Sequence, residues 1–117
     1  MYLDSIEKSI RNMLIYVAQH KGVTTYSGLV NSCDLHLNLA DKYDRELLSD
    51  MLCDICLYEH ENFRPLLSVL VVNESGEYKN LPSYSFFKFA EKLGKYRDGD
   101  HEKFAFYEKN RCYKEWQ

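Results

Sequence analysis

Four side chains have the types and spacing for metal chemistry. Cys33 and His36 form a C-x2-H pair, and after 16 intervening residues Cys53 and Cys56 form a C-x2-C pair. Three thiolates and one imidazole can complete the tetrahedral shell that zinc prefers. The setting argues against it. Structural zinc pairs sit in tight turns that wrap the backbone around the ion. Cys53 and Cys56 instead fall inside a strongly periodic helical stretch, with Cys56 at the edge of its apolar arc, where a small thiol is ordinary core filler. His60, four residues beyond Cys56, competes as a ligand and makes the set less specific. Redox use of the C-x2-C pair is weaker still. A reactive thiolate needs a helix start or neighbouring cations, and this pair lies mid-helix between Asp50 and Asp54. Zinc stabilisation therefore stands as a second alternative, and no cofactor is expected.

Nucleophilic or acid–base catalysis finds no pattern to rest on. The chain lacks a G-x-S-x-G elbow and a phosphate-binding G-x4-G-K-S/T loop. His20, His36, His60 and His101 are scattered among polar residues, and the carboxylates are spread along helix faces without an evident acid–base pair. The expected class is non-enzymatic.

The elements that would hold these residues can be read from hydrophobic spacing. Leu3, Ile6, Ile10, Met13, Leu14 and Val17 recur at three- and four-residue steps, which predicts a helix over 3–21 ended by Gly22. Ile15 lies off that stripe and reads as an isolated exposed side chain or as a self-association contact. Thr24 or Thr25 can cap a short helix over about 25–33, and a long helix spans 41–62, with Leu47, Leu48, Met51, Leu52, Ile55, Cys56 and Tyr58 in one apolar arc. The run 66–72 is almost continuously apolar and rich in β-branched residues, which predicts a buried strand. The turn 73–76 and the segment 77–81 would complete a β-hairpin. Ser83 can cap a helix carrying Phe86, Phe89, Ala90 and Leu93 on one face with Phe87 at its margin, and Asp100 can cap a last helix to about 115.

Charge bears on the partner. The net charge is −3, which offers no bulk attraction to phosphate or to an anionic membrane surface. Between 41 and 61 stand seven acids, Asp44, Asp50 and Asp54 among them, against Lys42 and Arg45. A helix that reads DNA brings Arg, Lys, Asn or Gln to bases and phosphates, so this one would repel a duplex. Eight bases against six acids over 88–117 describe a solvated face more than a phosphate track. On the last helix Phe106 and Tyr113 lie opposite Phe104 and Tyr107, with Trp116 between; either the helix is wedged between two parts of the domain, or its second aromatic face meets another protein. No apolar run is long enough for a bilayer and no basic-then-apolar leader is present, so the four cysteines are expected to be reduced thiols in a cytoplasm.

Thr-Tyr-Ser-x-Leu at 25–29, Arg-Pro-Leu-Leu-Ser-x-Leu-Val-Val at 64–72, Phe86-Phe87 and a terminal aromatic helix ending in Trp116 resemble a group of small uncharacterised bacterial and phage proteins of winged-helix-like shape. The resemblance spans about residues 24–116 and implies three helices, a hairpin wing and two C-terminal helices, with no established activity and no catalytic residues. The chain departs from DNA-binding winged helices in its acidic third helix. The expectation is thus a single α+β, mostly helical, winged-helix-like domain over 1–117. It would bind another protein, or a second copy of itself, through Asp44, Asp50 and Asp54 and through Phe106, Tyr113 and Trp116. The resemblance adds a regulatory or phage–host setting. A winged-helix DNA-binding regulator is the alternative, using Lys79, Asn80 and the C-terminal bases.

Overall fold

Asp4 starts the first helix. In the computed structural model, which describes residues 1–97 and 99–117, α1 spans Ser5–Gln19. Its cap is reciprocal: Asp4 Oδ1 accepts from the Glu7 N–H at 2.8 Å, and Glu7 Oε1 accepts from the Asp4 N–H at 3.1 Å. Leu3, Glu7, Ile10, Leu14 and Ala18 form its buried stripe. Ile6 is 52% exposed rather than part of that stripe, and Ile15 packs half-buried against the core. The remaining helices are α2 (Tyr26–Ser32), α3 (Lys42–Glu61), α4 (Tyr84–Lys92) and α5 (His101–Glu115). Thr25 caps α2 through a 3.0 Å bond from the Gly28 N–H, and Asp41 and Asp100 cap α3 and α5.

The first four helices end in the same way. One residue takes a left-handed backbone while two N–H groups fold back onto the last turn. At α1 the Lys21 and Gly22 N–H groups reach Ala18 O and Val17 O. At α2 Asp34 and Leu35 reach Asn31 O and Val30 O. At α3 Phe63 and Arg64 reach His60 O and Glu59 O, and at α4 Gly94 and Lys95 reach Glu91 O and Ala90 O. The left-handed residues are Lys21, Asp34, Phe63 and Gly94, with φ of 54°, 54°, 60° and 78°. Gly22, the terminator expected from the sequence, stands one residue beyond the turn.

The hairpin is corrected. Residues 66–72 are buried as expected, but Leu67–Leu70 wind into a 3-10 turn, and the extended piece is β2, Val71–Val72. It pairs in parallel with β1, Thr24–Thr25, with Thr24 opposite Val71 and Thr25 opposite Val72. Residues 77–81 form no strand. They close a loop around Asn73, whose N–H and Nδ2 both donate to Leu81 O, at 3.0 and 2.9 Å, with one isolated bridge to Lys79. Asn80 takes φ 65°, which breaks any extended return. A short apolar run is equally suited to a buried helical turn, because burial on all sides erases periodicity. The winged-helix wing, an antiparallel ribbon, is therefore replaced by a two-stranded parallel pairing within an α+β, mostly helical fold.

The 3-10 turn packs against α1, α3 and α5 and is the centre of the molecule. Leu66, Leu67 and Leu70 are fully buried there. A second focus is Phe87, which sits in the core and not at the margin of α4. It is fully buried, stacks on His101 at 4.2 Å and meets Phe86 edge-on at 5.3 Å. Among the described residues no helix is long and apolar enough to cross a membrane.

Candidate functional site

Two glutamates occupy core positions by their place in the helical period. Leu48, Leu52, Ile55 and Glu59 follow one another at four-, three- and four-residue steps on α3, and Ala105, Glu108 and Cys112 do so on α5. Glu59 and Glu108 are fully buried. A buried carboxylate needs opposite charge and hydrogen bonds to offset its lost hydration, and each of these has two cations. Glu59 accepts from Arg11 Nε at 2.5 Å and Arg64 Nε at 2.6 Å. Both guanidinium groups lie over Tyr58, at 5.2 and 5.5 Å, and over Trp116, at 5.3 and 5.9 Å. Glu108 accepts from Lys95 Nζ and Arg111 Nη1, each at 2.7 Å, and from the Leu66 N–H at 2.8 Å.

These bonds hold the connection from α3 to the 3-10 turn on either side of Pro65, by the Arg64 side chain and by the Leu66 backbone. At its apex stands Phe63, 97% exposed with φ 60°. The left-handed backbone crowds Cβ against the carbonyl and costs a non-glycine residue about 1 kcal/mol. The other non-glycine residues in that region, Lys21, Asp34, His36 and Asn80, are polar. Phe63 thus combines an unfavourable backbone with an apolar ring in water. Beneath it runs a groove of about 750 Å³ walled by His60, Arg64, Lys95, Arg111 and Lys114. Compared with protein-family models, with curated proteins and with solved structures, the chain matches none. The site must therefore be judged on its geometry.

A second groove, of about 620 Å³, runs between α2, the first turns of α3 and residues 72–75, with Leu39, Leu48 and Val72 among its lining. Ser83, Ser85 and Ser49 form a hydroxyl chain there, with Oγ···Oγ separations of 2.8 and 3.1 Å. These serines bond to one another, and the Ser83 N–H is taken up by the Tyr26 hydroxyl at 3.0 Å.

The residues marked from the sequence fall in different places. Asp44 Oδ2 accepts from the Asn38 N–H at 2.8 Å and closes the loop before α3. Asp54 is half-buried, and burial together with its carboxylate pushes the nearby Glu7 carboxyl up. Asp50 is exposed. Tyr113 donates its hydroxyl hydrogen to Gly22 O at 2.8 Å, and Trp116 covers the Glu59 cluster. Phe106 is 58% exposed on the outer face of α5. Among the described residues no three His, Cys, Asp or Glu side chains converge as metal ligands. Cys56 Sγ is 2.8 Å from Ser68 Oγ, while His36 is exposed beside Asp34. Burial pushes the Cys56 thiol up to about 12, and burial with the charges of Asp50 and Asp54 raises Cys53 to about 11, so both are protonated at neutral pH. Thermal unfolding is accordingly expected to give the same midpoint with and without a strong chelator. A large downward shift with chelator would restore the zinc reading.

The period read from the sequence could have placed Glu59 and Glu108 in the core. Arg111 stands three residues from Glu108 on the same helix and could be read that way, but Arg11 and Lys95 could not, because Arg11 lies on α1 and Lys95 in the loop after α4.

Proposed function

We propose that the chain is a non-enzymatic protein-interaction module whose contact face is centred on Phe63. The observation that supports this is the ring's setting: an apolar side chain, 97% exposed, kept at a left-handed position where glycine would fold more easily. The left-handed position belongs to the helix cap, but the cap does not require an apolar ring there, and aromatic rings flanked by arginine are typical anchors of protein interfaces. The surroundings are rigid, since both flanks of the loop are tied to buried carboxylates, so little ordering cost would oppose binding. A regulatory setting, bacterial or phage, rests on the resemblance of residues 24–116 alone, and a cytoplasmic one on the expectation of reduced cysteines. The acidic face of α3 gives a second contact surface, for which Asp50 is the exposed candidate.

The Phe63→Gly variant separates folding from binding. It is expected to raise stability by about 1 kcal/mol in denaturant unfolding, because it removes the left-handed penalty. It is also expected to release the proteins that the wild-type chain captures from an extract of its native cell. Capture unchanged in Phe63→Gly but lost in Asp50→Lys would move the contact face to α3. Capture unchanged in both would sink the reading.

A further inference from the structure

We infer that the groove beneath Phe63 receives an acidic, carboxylate-rich segment of the partner protein. This rests on the protein-interaction reading and names the chemistry of what binds. One cation would neutralise each buried glutamate, yet Glu59 has Arg11 and Arg64, and Glu108 has Lys95 and Arg111. The groove wall carries four cations, Arg64, Lys95, Arg111 and Lys114, against one carboxylate, Glu115, while Glu59 and Glu108 are fully buried behind it and Arg11 lines a different groove. The C-terminal ends of α3 and α5 carry roughly half a negative charge each. The wall's own surplus exceeds that, so the groove presents a positive face on a chain of net charge −3.

The placement of the charge favours a peptide over a nucleic acid. Arg64, Lys95 and Arg111 are tethered to the glutamates and can present their remaining N–H groups over one short stretch. Arg111 is 58% exposed while one of its nitrogens stays bonded to Glu108, which leaves the rest of the fork for a carboxylate of the ligand. A phosphate backbone instead calls for many free cations along a track and releases counterions at each. Stacking on single strands calls for successive rings, whereas the groove presents Phe63 alone at its lip. The acidic segment would lie along Arg64, Arg111 and Lys114, with Phe63 entering an apolar hollow of the partner.

The test selects a random peptide library on the immobilised full chain, with a random single-stranded DNA pool in parallel. The retained peptides are expected to be enriched in Asp and Glu above the library composition. A synthesised representative is expected to weaken about tenfold on Lys114→Glu combined with Arg111→Gln, and to weaken as salt rises. Arg111→Gln keeps an amide donor for Glu108, and an unchanged unfolding midpoint confirms that the fold is intact. Selected peptides that lack acidic enrichment but depend on Phe63 would overturn the acidic ligand and leave the interaction module standing. Failure to enrich any peptide also overturns it, and tighter retention of DNA than of acidic peptides would replace it with nucleic acid.

Discussion

Replacing Glu59 by alanine is expected to destabilise the fold by about 3–5 kcal/mol, the cost of breaking a buried charge cluster by removing one sign. Arg11 and Arg64 would then face each other with side chains only 20% and 23% exposed, held between the rings of Tyr58 and Trp116 and unable to reach bulk water freely. Their mutual repulsion would act where the carboxylate now screens it. For a domain of this size such a loss lowers the thermal midpoint by roughly 10–20 °C. Denaturant titration of the variant checks the figure. A loss below about 1 kcal/mol would mean that the cluster behaves as a surface ion pair. Glu59→Gln keeps the shape and the acceptor, so it is expected to fall between the two proteins.

Stability is also expected to fall as pH rises from about 4.5 to about 7, and Glu7 is the cause. Burial, aided by the hydrogen bond and charge of Asp54, raises its carboxyl from 4.5 to about 7. The folded state therefore binds this proton more tightly than the unfolded chain does. The contribution is complete below the unfolded value near 4.5, declines through the interval, and is lost above about 7. At roughly 1.4 kcal/mol per pKa unit, the loss on going to alkaline pH is at most about 3.5 kcal/mol. One carboxyl oxygen of Glu7 accepts from the Asp4 N–H at 3.1 Å. In Glu7→Gln the amide keeps that acceptor and carries no titrating proton. That variant is expected to exceed the wild type in stability at about pH 8.5 by roughly 1–3 kcal/mol and to match it near pH 5. Taking the difference between the two proteins cancels every other titrating group. A difference that stays flat with pH would refute the raised carboxyl. It would also bear on charge reversal at Asp54, which changes the neighbour of Glu7 as well as the outer face of α3, and so makes Asp50 the cleaner probe of that face.

Local chemistry settled most of the elements. Apolar spacing placed α1 and α3 within two residues of their observed ends, and Asp100 and Ser83 marked the starts of α5 and α4. These signals are carried within a few residues of one chain segment, so they survive without a tertiary context. The burial of 66–72 was legible for the same reason, but its conformation was not. A run apolar on every side satisfies a strand and a 3-10 turn equally, and the choice fell to Thr24 and Thr25, which supply parallel partners to Val71 and Val72 from over 40 residues away. The glutamates show the same division. Glu7, Glu59 and Glu108 sit in phase with the core residues of their own helices, and that much the sequence by itself determined. Whether a carboxyl is pushed up by burial, as Glu7 is beside Asp54, or its charge is compensated, as by the paired cations of Glu59 and Glu108, was decided only when the helices packed. Charge compensation acts through space, between groups such as Arg11 and Glu59 that lie 48 residues apart. The exposure of Phe63 belongs to the same class, because a position two residues past a helix end becomes a lip over a groove only when α5 closes beneath it.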